Sequence, residues 1–453
     1  RDGVEWAVRL GAFEERRGAG LVGARSIASG GSLTLTAAKA PQDGESGWRV
    51  QGWLRSSDLK NSSAAVGVGR AFTTPANDQY ATPALGYGFN AAWQARAGLW
   101  SWELGADVRA AQGEVRERFR YMNGGFTRGR IAGGKTLVGG VYAESAYGGE
   151  NTILTGGARG DGWRSTHAIR RERDLANGAL LLDQTPTGNS GTTPTARFGV
   201  KQRLVGETWL RGAAYAGFRP PTLNELHRPF RVGNDVTEAN SGLKPETLYG
   251  VEAAMAGEGA VRWSLGVFYN LLEDPITNVT VGFGPGTFPT AGFIPAGGVL
   301  RQRRNAGQIE AWGLEGDAAA DLGPAWSVQA AFSAAKAEVD GGASAAQLTG
   351  KRPAQTPELT VTAGATWRAT DKLTLAADLR YEGARFEDDL NTRKLDAAWA
   401  VDLRAGWQLS RVSEVYLAAD NVLDENIQVG ETADGVESYA APRTLRVGFT
   451  LRR

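Results

Sequence analysis

Two histidines, His167 and His227, and the absence of any cysteine limit the chemistry open to this 453-residue chain. Without a thiol there is no disulfide, no thiolate metal site and no Cys nucleophile, and two imidazoles are too few for a multi-His metal centre. No Ser/His/Asp set, phosphate-cradling glycine loop or paired-carboxylate site stands out. Neither an enzyme nor a cofactor is expected, and what remains is binding. The connection Phe218–Pro245 gathers Arg219, Glu225, His227, Arg228, Arg231 and Asn234, groups able to hold a polar or anionic ligand. The same segment carries Pro220-Pro221 with Leu223 and Leu226, which can equally form a corner that caps a strand and gives the charged members a structural role. His227 by itself lacks the partners of a metal site.

Composition narrows the classes further. Lys+Arg number 50 and Asp+Glu 49, so the net charge is +1 and no basic excess marks a nucleic-acid partner. At 42% hydrophobic residues the chain folds rather than staying disordered. No stretch approaches the ~18–20 apolar residues of a transmembrane helix, and Arg1-Asp2-Gly3 begins no apolar signal core. The 62 Gly beside 14 Trp, 11 Tyr and 15 Phe suit many strands with tight turns and bulky side chains on one face.

The elements that position these residues follow from a period of two. Trp399, Val401, Leu403, Ala405, Trp407 and Leu409 alternate with Ala400, Asp402, Arg404, Gly406 and Gln408, and helical spacing would scramble the two sets. Similar alternation spans Leu373–Glu382, Trp100–Arg109, Arg262–Asn270 and Thr444–Arg452. About 18 such segments are expected, many longer than the roughly 5–6 residues usual in globular proteins. Their connections alternate in length. Short breaks fall at Pro41–Gly47, Ala97–Gly98, Tyr147–Asn151, Gly206–Glu207, Ala256–Gly259, Leu322–Pro324, Thr370–Asp371 and Ser410–Ser413. Long polar loops are expected over Ser56–Thr82, Tyr121–Arg130, Trp163–Pro194, Phe218–Pro245, Asp274–Gly298, Glu338–Pro357, Gly383–Lys394 and Leu423–Glu437, with a short first connection at Gly18–Gly20.

One trimmed rim and one elaborated rim describe an all-β, transmembrane, antiparallel up-and-down β-barrel of the bacterial outer membrane. Its apolar face meets lipid and its charged face the lumen, with Trp399 and Trp407 suited to the two aromatic girdles. Lumenal Asp378, Arg380, Glu382, Asp402 and Arg404 read better as cross-strand ion pairs than as a solute path. A passive porin-like diffusion channel is the alternative, because about 18 strands can close alone. A soluble or surface β adhesin would need the apolar face to be a packed core.

Three stretches carry a resemblance. Gly217-Phe218-Arg219-Pro220-Pro221-Thr222-Leu223-Asn224-Glu225-Leu226 is followed by Leu243-Lys244-Pro245-Glu246-Thr247. Asn305-Ala306-Gly307 comes next, with Gly313-Leu314-Glu315-Gly316, and then Asp420-Asn421-Val422-Leu423-Asp424 with Tyr439 and Pro442-Arg443-Thr444. In this order they resemble the barrel of TonB-dependent outer-membrane receptors. The resemblance implies a barrel of about 22 strands, filled by a plug that a periplasmic TonB-type energy transducer contacts. It also implies import of a scarce solute such as a metal chelate of siderophore or cobalamin type, from the outer membrane of a Gram-negative bacterium. Residues 1–453 then read as a partial barrel domain with no plug, and its first and last strands are expected to leave a gap or to close with strain.

Overall fold

The computed structural model describes residues 3–452 apart from positions 19, 43, 68, 70, 233 and 434. The first half of the wall consists of β1 (Val4–Gly18), β2 (Arg25–Lys39), β3 (Gly47–Val66), β4 (Thr73–Ala81), β5 (Ala84–Ala97), β6 (Trp100–Met122), β7 (Gly125–Gly148), β8 (Thr152–Asp174), β9 (Leu180–Gln184), β10 (Asn189–Val205) and β11 (Thr208–Arg219). From there on the connections form small strands of their own. β12 (Phe230–Val232) and β13 (Asp235–Glu238) precede β14 (Glu246–Gly257) and β15 (Val261–Glu273). β16 (Ile276–Phe283), β17 (Gly286–Phe288), β18 (Gly292–Ile294) and β19 (Val299–Asn305) precede β20 (Gln308–Leu322), β21 (Trp326–Asp340), β22 (Leu359–Arg368) and β23 (Leu373–Glu382). β24 (Arg385–Phe386) and β25 (Lys394–Leu395) lead to β26 (Ala398–Ser410) and β27 (Ser413–Asp420), and β28 (Gln428–Glu431) and β29 (Glu437–Tyr439) to β30 (Thr444–Leu451).

The wall has eighteen staves, because β4 with β5, and β9 with β10, are each one stave broken in two: β3 pairs both β4 and β5, and β8 pairs both β9 and β10. Every stave is antiparallel to the next, which makes an up-and-down meander. Register turns the alternation of single strands into rows around the wall. Leu10, Leu33, Leu54, Tyr87, Ala110 and Leu137 face one another strand by strand, as do Leu373, Trp407, Val415 and Phe449. These rows are the lipid face. The intervening rows carry charge in matched pairs, such as Arg159 with Asp107 and Asp161, Arg380–Asp402 at 3.1 Å and Arg404–Glu414 at 2.7 Å. A lumen-facing charge keeps its ionised state cheaply when its cross-strand neighbour has the opposite sign.

No ladder joins β1 to β30 among the described residues. Leu10 and Val447, on those two strands, are 76% and 78% exposed, against 46% for Leu265 within the wall, because each edge strand has a neighbour on one side only.

The trimmed rim falls at the eight expected breaks. The elaborated rim differs in its first half. The polar stretches Ser56–Thr82, Tyr121–Arg130 and Trp163–Pro194 are not open loops but continuations of the staves, so that β3, β6, β7 and β8 reach 20, 23, 24 and 23 residues. Above the lipid both faces of these strands meet water, so both are polar and the apolar half of the alternation vanishes. Cross-strand pairs such as Arg130–Glu172 at 2.8 Å and Arg171–Asp183 at 3.1 Å hold the extensions together. The second half has true connections, and the compact apolar clusters lie there: Val279, Ala306, Val339, Ala345 and Leu348 form one, and Val236, Ile294 and Leu300 another. A wall one strand thick between lipid and lumen has no interior to bury them.

Candidate ligand-binding basin

Beyond Arg219 the ladder of β11 stops at Pro220-Pro221, which have no N–H to donate. Thr222 then caps the short helix α1 (Leu223–His227): its hydroxyl accepts from the Glu225 N–H while the Glu225 carboxylate accepts from the Thr222 N–H. Arg219 bridges Glu225 at 2.9 Å and Glu246 at 2.5 Å, and Glu246 also accepts from the Ile276 N–H at 2.6 Å. Burial raises the Glu225 carboxyl, but the Arg219 and Thr222 hydrogen bonds outweigh it and hold the group below its ordinary range. Arg219 and Glu225 therefore tie a corner.

The other four sequence-derived residues diverge. His227 is 4% exposed, and neither ring nitrogen has a hydrogen-bond partner. It sits in a small cavity with Thr136, Trp163, Ser165 and Leu243, against the bare backbone of Gly134. Arg228 reaches the inner side of the opposite staves, donating to Gln79 at 2.8 Å and to the fully buried Glu117 at 3.2 Å. Glu117 also accepts from Arg130 at 2.8 Å and Asn77 at 2.9 Å. Arg231, on β12, is half-buried and donates weakly to the Phe293 carbonyl at 3.4 Å; burial, then the nearby Arg120 and Arg130, lower its affinity for a proton. Asn234 lies in the β12–β13 turn, its carbonyl against Gly298, where a Cβ would come within 2.7 Å.

Burial pushes the His227 imidazole down to about 4, well below its unfolded value of roughly 6.5. Between those limits the opened corner binds more protons than the closed one, so stability present above about pH 6.5 is lost as the pH falls toward 4. Proteolytic cleavage within 220–245 is expected to rise, relative to a His227→Leu variant at the same pH, by roughly tenfold or more from pH 7 to pH 5. A ratio that does not move with pH refutes the linkage.

The larger feature is built by segments far apart in sequence. β13 runs parallel to β19, with Val236 opposite Leu300, and β16 completes a four-stranded sheet with β12. Arg303 of β19 donates to the Asn224 and Arg228 carbonyls, stitching two connections together. This sheet and the connections 341–358, 383–397 and 421–443 enclose a cavity of about 470 Å3, within the usual range of small-molecule sites. On its wall Asp235 takes Arg301 at 3.1 Å and Arg393 at 3.4 Å, both on one oxygen. Asp389 accepts from the Thr280 N–H and hydroxyl, each at 2.7 Å. Burial raises the Glu387 carboxyl in spite of Arg393 nearby. Sequence reasoning missed Asp235, Arg301, Glu387, Asp389 and Arg393. The runs Arg301–Arg304 and Glu387–Asp389 were visible as charge, but nothing local joins them. Among the described residues no group of three or more His, Asp or Glu is placed to hold a metal ion.

The sequence model of the family described as TonB dependent receptor-like, beta-barrel, matches residues 15–422. The chain belongs to that family. Its place is accordingly the outer membrane of a Gram-negative bacterium. An iron-regulated outer membrane virulence protein of Vibrio cholerae serotype O1 is 25% identical over 231 residues, 49% of this chain and 34% of that protein. Among solved structures, the ferric yersiniabactin uptake receptor of Yersinia pestis superposes with a TM-score of 0.72 at 13% identity, over 94% of this chain and 62% of the receptor. A copper transporter superposes with a TM-score of 0.78 at 16% identity, over 100% of this chain and 70% of the transporter. The chain thus matches about a third of the length of its curated relative and less than two thirds of that of the yersiniabactin receptor.

The motifs that carry the family resemblance are knots in this fold. Asn305 exchanges hydrogen bonds with the Lys244 backbone, at 2.9 and 3.1 Å, and donates to the Asp274 carbonyl at 2.7 Å. Ala306 beside it is 1% exposed, and a Cβ on Gly307 would meet the Asp340 carbonyl at 2.7 Å. Asn421 adopts a left-handed φ of 47° and donates to the Glu425 carbonyl while accepting from the Glu425 N–H; Asp424 accepts from the Arg443 N–H at 2.9 Å. TonB-dependent receptors are recognisable here by how the connections leave the wall.

Proposed function

We propose that this protein takes part in importing a scarce solute, such as a metal chelate of siderophore or cobalamin type, across the outer membrane. In this reading it performs no covalent chemistry, and a periplasmic TonB-type transducer supplies the energy through a plug that fills the barrel. One observation carries the proposal: on a wall of the TonB-dependent receptor family, the connections of a single rim fold into one joint structure around a cavity of small-molecule size. Residues on the β12–β13 hairpin, Arg231 and Asn234, contact the solute. Arg219, Glu225, His227 and Arg228 shape the hairpin that presents it.

The relatives support the cargo class by what they are named for, one a ferric chelate receptor and one a copper transporter. The test is uptake of radiolabelled ferric chelates by cells that express or lack the protein, each with and without the transducer. Uptake is expected only when both are present. Accumulation independent of the transducer, with equal permeation by small neutral sugars, overturns the proposal in favour of a passive channel.

A further inference from the structure

The same cavity tells apart two chemical classes of solute, and this step rests on the reading of the cavity as the solute site. Five carboxylates line it, Asp235, Glu387, Asp388, Asp389 and Glu431, against the two guanidinium groups of Arg301 and Arg352. Both arginines are already engaged by the protein. Arg301 faces Asp235 at 3.1 Å and Asp389 at 3.6 Å, while Arg352 donates to the Thr356 and Ala384 carbonyls and faces Glu358 at 3.6 Å. An incoming anion therefore finds no guanidinium without a partner on this wall.

The acceptors are in a different position. Asp388 and Asp389 are filled by donors from Thr392, Arg393 and Thr280. Asp235 is 7% exposed, and its Oδ1 has no hydrogen-bond partner because Arg301 and Arg393 both sit on Oδ2. The buried Thr277 hydroxyl, on the same wall, likewise has none. Glu431 forms no ion pair with any described residue. A buried carboxylate oxygen without a donor is costly, and a ligand that supplies one recovers that free energy on binding. Phe230, Ile309 and Leu348 give the cavity an apolar side for hydrocarbon.

The geometry points to a solute that presents hydrogen-bond donors, foremost a positively charged amine, to Asp235, Thr277 and Glu431, and to exclusion of polyanionic chelates. The experiment is titration of the protein in detergent micelles with two probes. One is a ferric trihydroxamate chelate carrying a free ammonium group, the other a trianionic ferric tris-catecholate. The ammonium chelate is expected to bind at least about tenfold more tightly. Thr277→Val and Glu431→Gln are each expected to weaken it about tenfold while leaving the anionic chelate unchanged. Neither side chain holds a protein partner, so neither variant removes a fold contact. Asp235→Asn, which does touch Arg301 and Arg393, serves as a third and more severe variant.

Equal or tighter binding of the anionic chelate overturns the class while leaving the solute-site reading in place. A preference for the ammonium chelate that survives both mild variants overturns the assignment to this cavity. Binding of neither probe overturns the class and the chelate reading together.

Discussion

Glu117→Ala is expected to release the segment 220–245 from the wall while the barrel stays folded. The Glu117 side chain is fully buried and accepts from Arg130, Arg228 and Asn77, so its loss leaves two guanidinium groups short of a counter-charge in a place water reaches poorly. Breaking a buried pair from one side costs roughly 3–5 kcal/mol. Arg130 retains Glu172 at 2.8 Å and Arg228 retains Gln79 at 2.8 Å, which places the expectation at the lower end of that range. A loss of about 3 kcal/mol raises the open fraction of the segment on the order of a hundredfold. Cleavage by an added protease tracks that fraction when opening is fast. The wall itself is held by long ladders such as β6 with β7, so the strand signal in circular dichroism is expected to be unchanged. Unaltered cleavage within 220–245 means the carboxylate does not hold the segment.

Leu403→Arg is the second large effect. Leu403 lies midway between Trp399 and Trp407 on β26, in a row with Ala377, Ala419 and Leu445. Eight residues of strand at about 3.3 Å each span ~26 Å, close to the ~25 Å apolar band of outer-membrane barrels, so Leu403 sits near its middle. Arginine there is expected to cost about 2–4 kcal/mol. Gln408→Arg, on the face that carries Arg404 and Glu414, is expected to be nearly neutral because the lumen face already holds ionised side chains. Denaturant unfolding of both variants in lipid vesicles measures the difference, and equal losses refute the assigned facing.

Taken together, these features separate the charged residues of the elaborated rim into two groups. Arg219, Glu225, Glu246 and Asn305 hold the corners from which the connections spring, and Glu117, Arg130 and Arg228 fasten one connection across the mouth. Only the inner wall of the cavity keeps acceptors in need of donors. A charge count over the sequence registers all of these alike, because it does not know which charges meet inside the protein.

The stave count, the trimmed rim and the facing of Trp399–Leu409 were legible in the sequence because each depends on one strand and one boundary. Lipid on one side and water on the other fix a residue's environment by its parity, and parity is local. The same logic explains the error over Ser56–Thr82, Tyr121–Arg130 and Trp163–Pro194: where water lies on both sides, parity carries no chemical contrast and a strand reads as a loop. The corner role of Pro220-Pro221 was legible as one of two readings, since proline acts on its own backbone.

The cavity was not legible. Arg301 meets Asp235 across 66 positions of sequence, and Arg393 meets it across 158, with no periodicity between them. The sequence by itself determined the wall, residue by residue, through the contrast between two solvents. The tertiary structure alone decided the site, because a connection that pairs with another connection chooses its partner by where the wall's staves deliver the two ends.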